Sequence, residues 1–151
     1  PKEENDLSDF VKNHFEADLS QRPIIVNREV QVKRGDETDI KVDAIRQDTG
    51  GDPDVFSMII ETKGCWHGEV DTAMKSQLVD RYLKENSYRH GLYLVGWYDC
   101  SRWDPAHKSK ISIPWSSIEE AQEALNKQAA ALSQEGYVIR ACVLDVRLPE
   151  K

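Results

Sequence analysis

The residues best equipped for chemistry are Glu61 and Lys63, two positions apart at the end of a largely apolar run, Val55 to Ile60. A run of that kind belongs inside a protein, so a carboxylate and an ammonium are out of character at its end. Side chains alternate along a strand, which turns both to one face, about 6.5 Å apart along the chain. A salt bridge at a strand end would account for this pair alone. A third acid argues for more. With a loop centred at Gly50, Asp39 and Glu61 lie eleven residues to either side and oppose each other across an antiparallel pair, on the face that Lys63 shares. Asp43 has the right parity, but it opposes Glu61 only if the turn centre moves to Asp52. Asp54 is rejected: seven residues along one strand span about 23 Å, and the odd separation turns it to the other face.

Two carboxylates brought together repel each other, and a divalent cation relieves the repulsion. Hard oxygen ligands with open positions suit Mg²⁺, with Mn²⁺ as a substitute. Such an ion activates water and neutralises charge growing on a phosphodiester, while a lysine beside it orients that water or stabilises the phosphorane. The Asp39–Glu61–Lys63 set therefore fits metal-assisted phosphodiester hydrolysis.

These residues need elements to hold them. Leu7, Phe10, Val11, Phe15 and Leu19 recur at three- and four-residue spacing, predicting a helix over about residues 6–19, capped by Asn5 or Asp6. Strand patterns follow over Ile24–Lys33 (Val26, Val30 and Val32 on one face), Thr38–Arg46 (Ile40, Val42, Ala44) and Val55–Lys63. Arg34-Gly35-Asp36 and the Asp48–Pro53 cluster read as connections. A helix is predicted over about Glu69–Glu85, with Val70, Met74, Leu78 and Tyr82 as its ridge and Gln77 on its inward side. Gly91–Tyr98 reads as a strand covered on both faces, residues 99–115 as a polar loop with a short strand at Ile111–Ile113. Ser116 and Ser117, each three residues before a glutamate, open a helix to about Ser133, with Leu125, Ala129 and Leu132 inward. Gly136 ends it before a last strand, Tyr137–Val146. The order α-β-β-β-α-β-α-β implies an α/β fold, a mixed central sheet flanked by helices.

Composition narrows the class. The chain has 151 residues, 39% hydrophobic and 31% charged, the size of one domain, and this mixture excludes disorder, a collagen-like repeat and a disulfide-stapled miniprotein. Three cysteines cannot all pair, and Cys65, Cys100 and Cys142 lack zinc-ribbon spacing, so free thiols in a cytoplasmic protein are expected. Zinc bound by Cys65, His67, Cys100 and His107 is disfavoured. No apolar run reaches the ~18–20 residues of a membrane span, and no secretory leader is expected. The net charge of −7 argues against bulk coating of nucleic acid, yet Lys75 to Lys110 carries seven cations against four acids, a local +3. Trp66, Trp103 and Trp115 either stack on bases or anchor the core. Ser57, Ser76 and Ser87 have no histidine–acid partner nearby in sequence. A start at Pro1, with Met58 and Met74 the only methionines, reads as a piece of a longer chain.

Glu61-Thr62-Lys63 at a strand end, Thr38-Asp39-Ile40 at a strand start and the α-β-β-β-α-β order over about residues 6–98 resemble the PD-(D/E)XK nuclease superfamily, with its restriction-endonuclease-like core. The helix and strand after Ser116 resemble a common C-terminal extension. The resemblance implies that Asp39, Glu61 and the Thr62 carbonyl hold the metal and that Lys63 serves the nucleophilic water. In RecB-like branches a glutamine and a tyrosine of the following helix approach the active site, which implies a role for Gln77. Tyr82 departs from that pattern, following Gln77 by five residues instead of four. Some members add an acid from the first helix or strand, for which Glu16 and Glu29 are candidates. The runs Lys63-Gly64-Cys65-Trp66 and Gly91–Trp97 also resemble nuclease domains appended to large bacterial NTPases of antiviral defence, which implies other domains of a longer parent chain as partners.

The expectation is thus a Mg²⁺-dependent DNA endonuclease. Its rivals are a catalytically idle DNA- or protein-binding domain of the same fold, and a junction resolvase-like repair nuclease. Double-strand cuts would call for a homo-oligomer, since one such site cuts one strand.

Overall fold

Alternating apolar residues commit the middle of the chain to strands, and the sheet they form sets where the charged residues end up. The computed structural model describes residues 4–33, 36–46 and 54–147, without the side chains of residues 4, 29–33 and 36–38. The connections at Arg34-Gly35 and Gly50, and the side chains of Glu29, Val30, Val32 and Thr38, lie outside the described residues. Helix α1 (Glu4–Leu19) leads into β1 (Ile24–Lys33), β2 (Asp36–Arg46) and β3 (Asp54–Gly64). A π-helix (Met74–Leu83) connects β3 to β4 (His90–Trp97). The one-turn α2 (Lys108–Ile111), α3 (Ile118–Ser133) and β5 (Val138–Asp145) complete the order. The protein is α/β, with a five-stranded mixed sheet in the order β1-β2-β3-β4-β5. Neighbours are antiparallel from β1 to β3 and parallel from β3 to β5.

The sheet is covered on both sides. On one, Leu7 and Val11 of α1 pack on Val26, Ile40, Val42, Ile60 and Leu94. On the other, the π-helix and α3 bury Ile59, Tyr93, Val95, Trp97 and Ile139 beneath Leu78, Leu83, Leu125 and Leu132. The last six residues of β3 are all buried, and most of β4 is too, as a strand covered on both faces requires.

Four local expectations are corrected. Helix α1 already includes Asn5 and Asp6, so neither is its cap. Phe10 is not inward: it is 56% exposed and stacks on His14 at 6.0 Å, at the edge of a stripe that Leu7 and Val11 fill. Ile111–Ile113 is not a strand. His107 Nδ1 accepts from Ser109 N–H at 3.2 Å and so starts α2, supplying locally the partner that a lone three-residue strand would have to find elsewhere. The helix after β3 begins late: residues 65–72 run through successive turns and only Met74–Leu83 winds regularly. At α3 the capping signature holds with its arms offset. Ser117 Oγ accepts from Glu120 N–H at 3.2 Å, while the Glu120 carboxylate accepts from Ser116 N–H at 2.8 Å.

Leu78 has no solvent exposure and joins the π-helix to the larger core, so Leu78→Ala is expected to lower the unfolding free energy by about 2–5 kcal/mol. Ile111, 71% exposed, gives the control: Ile111→Ala changes it by no more than about 0.5 kcal/mol in the same urea titration.

Candidate functional site

The register of β2 against β3 decides which acid meets Glu61. Pairing runs from Arg46–Asp54 to Ile40–Ile60, the register that a centre at Gly50 demands; it ends one step before Asp39 and Glu61, which would be opposed if it continued. Asp43 instead opposes Ser57, whose hydroxyl donates to it at 2.6 Å, and bonds Lys41 at 3.0 Å. Asp54, exposed, opposes Arg46 at the far end of the strand.

Beyond the last pair, Thr62 N–H reaches toward β2 and finds a side chain as its partner. It donates to Asp39 Oδ2 at 2.8 Å. Two consequences follow from strand geometry. A strand residue's N–H and C=O project to the same neighbour, so the Thr62 carbonyl also faces Asp39. Odd-numbered residues of β3 then face β4, as the bond from Cys65 N–H to Gly96 O at 2.9 Å illustrates, and Asp39–Glu61 falls at a non-hydrogen-bonded position, where side chains approach more closely.

Asp39 Oδ2 also accepts from Thr62 Oγ1 at 2.9 Å. A hydroxyl has one proton to give, so the 2.6 Å contact between Thr62 Oγ1 and Ser8 Oγ must have Ser8 as donor. Ser8, 2% exposed, thereby ties α1 to the acid. The sequence reading missed it. The available signal was its place in the stripe Ser8, Val11, Phe15, a hydroxyl on an apolar face.

Glu61 and Lys63 share the face covered by the π-helix and are 1% and 6% exposed. Lys63 Nζ donates to Glu61 Oε1 at 2.7 Å. The structure therefore joins these two directly, and joins Asp39 to the same strand end through Thr62.

Tyr82 is the group that senses all three. Burial pushes its phenol up to about 12; the Glu61 carboxylate adds to the rise, Arg81 opposes it, Asp39 adds and Lys63 opposes. The winding of its helix explains how it arrives. Lys84 N–H bonds Val79 O and Tyr88 N–H bonds Leu83 O, each at 2.9 Å and each five residues back. In such a helix residues five apart stack, as residues four apart do in an α-helix. The interval does not bring Gln77 to the side of Tyr82, which is buried at 4% exposure. Gln77, expected inward, is half-buried, and its amide donates to Glu69 Oε2 at 3.0 Å on the exposed side. Glu16 is likewise a surface charge, bonded to Lys12 at 3.0 Å.

No protein-family model matches the chain, and no curated protein or solved structure is significantly similar to it.

Among the described residues no three His, Cys, Asp or Glu side chains gather as a ready ion cage, and the three cysteines are free. Mg²⁺ asks for less: one or two carboxylates, with water and phosphate completing its octahedron. Asp39, Glu61 and the Thr62 carbonyl are hard oxygen donors of that kind. With Lys63 the trio carries a net charge of −1, which attracts a cation. No described helix is long and apolar enough to cross a membrane.

Lys63→Ala would leave the Glu61 carboxylate buried without its cation, at an expected cost of about 3–5 kcal/mol in urea unfolding at pH 7, whereas Glu61→Leu with Lys63→Met recovers most of that loss. Ultraviolet titration is expected to show a phenolate component with a midpoint of about 12 that disappears in Tyr82→Phe. Because the folded state holds this proton more tightly than an unfolded chain, whose phenol titrates near 10, its contribution to stability is complete below pH 10. It is lost as pH rises to about 12.

Proposed function

We propose that this chain is a Mg²⁺-dependent DNA endonuclease domain of restriction-endonuclease-like architecture. The observation that carries the reading is the strand end itself: Asp39 on Thr62 N–H, the Thr62 carbonyl on the same side, and Glu61 with Lys63 at 2.7 Å. The element order, three antiparallel strands and then a helix into a parallel strand, supports it.

On this reading Asp39, Glu61 and the Thr62 carbonyl hold the ion, which supplies activated water and neutralises charge on the phosphodiester. Lys63 holds the attacking water in line and offsets charge growing on the phosphoryl oxygens. Tyr82, neutral throughout the physiological range, offers its hydroxyl as a hydrogen-bond donor and keeps bulk water from the Glu61 side. Ser8 and Thr62 fix the direction of Asp39. A catalytically idle domain is the second reading, favoured by one observation: Glu61 is already neutralised by Lys63, so its charge needs no metal.

Linear and circular DNA incubated with Mg²⁺ are expected to be cut, and EDTA to stop the cutting. Asp39→Asn, which keeps an acceptor for Thr62 but loses the charge, should lower the rate by about 10²- to 10⁴-fold with an unchanged circular dichroism spectrum. Calorimetric titration separates the two readings: Mn²⁺ binding that vanishes in Asp39→Asn supports the nuclease, while neither cutting nor Mn²⁺ binding by the wild type would falsify it.

A further inference from the structure

Beyond Lys63 the chain builds an aromatic cluster that the hydrolytic residues do not use. A Cβ at Gly64 would come within 2.7 Å of the Trp66 ring, so the indole folds back over the backbone that follows Lys63. Trp66 meets Tyr98 edge-on at 4.6 Å and Trp103 at 5.7 Å with an interplanar angle of 88°. His107 stands 5.9 Å from Trp103. Trp66, Trp103 and His107 are all half-buried, which leaves part of each ring to a ligand.

The cluster is held in place. Ser112 Oγ lies 2.8 Å from both the Trp66 and the Ser109 carbonyls and shares its proton between them, Lys110 bonds Asp99 at 2.7 Å and the Cys100 carbonyl at 3.2 Å, and His107 Nδ1 is fixed by Ser109 N–H. Two cations are next to these rings in the chain, Arg102 preceding Trp103 and Lys108 following His107. Both are exposed, and neither has an acidic partner among the described residues. The locally positive stretch of an acidic chain is thus concentrated, in part, on a fixed set of rings at the strand ends that carry Glu61 and Lys63.

We propose that Trp66, Trp103 and His107, with Arg102 and Lys108, form a platform for a single-stranded segment of nucleic acid beside the candidate site. Rings stack on bases whose faces are open, and cations take the phosphates between them; a duplex hides its base faces and offers only the phosphates. The proposal deepens the nuclease reading and rests on it for its substrate class, but it is tested separately, by binding without metal.

A fluorescently labelled oligonucleotide, single-stranded or annealed, is titrated in EDTA and followed by anisotropy. The wild type is expected to bind the single strand more tightly, with its tryptophan emission quenched. Trp103→Ala should weaken single-strand binding by about tenfold or more and leave duplex binding nearly unchanged. Trp103→Phe, which can still stack, should restore most of it. Replacing Arg102 and Lys108 with alanine should weaken both and flatten the dependence on salt. The platform is overturned if the wild type binds neither form or prefers the duplex, or if Trp103→Ala, folded by circular dichroism, binds as the wild type does. Single-strand binding that follows this pattern in a protein that neither cuts DNA nor binds Mn²⁺ would uphold the platform and sink the nuclease reading.

Discussion

A strand that outlives its neighbour's ladder leaves a backbone donor stranded, and an unpaired donor inside a protein costs about as much as a lost hydrogen bond. Thr62 N–H is such a donor, and Asp39 answers it with a side chain where the next rung of backbone would have been. Much follows from that exchange. The carboxylate is fixed in the plane of the sheet, the Thr62 carbonyl is turned to the same gap, and the Thr62 hydroxyl, spending its proton on Asp39, can only accept from Ser8. Helix α1 is thereby docked by a polar contact as well as by Leu7 and Val11. An alanine at position 39 would take away the acceptor that both the N–H and the hydroxyl of Thr62 use.

The other half of the site is assembled at a cost. Burying Glu61 and Lys63 sacrifices their hydration, and such pairs are often no more stable than a well-packed apolar substitute. The π-helix above them is a rare winding, met mostly as single turns inside α-helices and frequently at functional sites. These two unfavourable features occupy one place, and they are coupled through Tyr82, which the five-residue winding delivers to the carboxylate side. Natural sequences break local rules mainly at functional sites, so their coincidence favours a working site over an idle one.

The order of elements was legible because strong periodicity carries it: alternation in Thr38–Arg46, three- and four-residue spacing in Ile118–Ser133, and Gly136 with its φ of 95° at the helix end. The register of β2 on β3 was legible too, since a loop centre sets the register of a hairpin and parity sets the face. What hid was anything decided by winding or by a lone polar contact. The uniform four-residue spacing of Val70, Met74, Leu78 and Tyr82 fits an α-helix well enough to conceal a π-helix, so Gln77 was read as inward and the interval from Gln77 to Tyr82 as a departure from the family's. Ser8 gave only a single hydroxyl in an apolar stripe. The Ile111–Ile113 triplet failed for a different reason, because a side-chain cap from His107 outcompetes a strand with no edge to join.

An acidic chain meeting a polyanion must solve an electrostatic problem locally. At −7 overall, long-range steering works against nucleic acid, and the trio at the strand end adds its own net negative charge. Two devices can reverse the sign at short range: cations on a fixed ring cluster, where Arg102 and Lys108 stand, and a divalent ion between Asp39 and Glu61. Either alone is weak, since the cations are exposed and screened within about 8 Å at physiological ionic strength. On the proposed reading the two would divide the labour, the cations gripping phosphates and bases, and Asp39 and Glu61 holding an ion that would neutralise the scissile phosphate. Under that division the acidity of the chain would be an asset, since it would disfavour nucleic acid on surfaces that lack such cations.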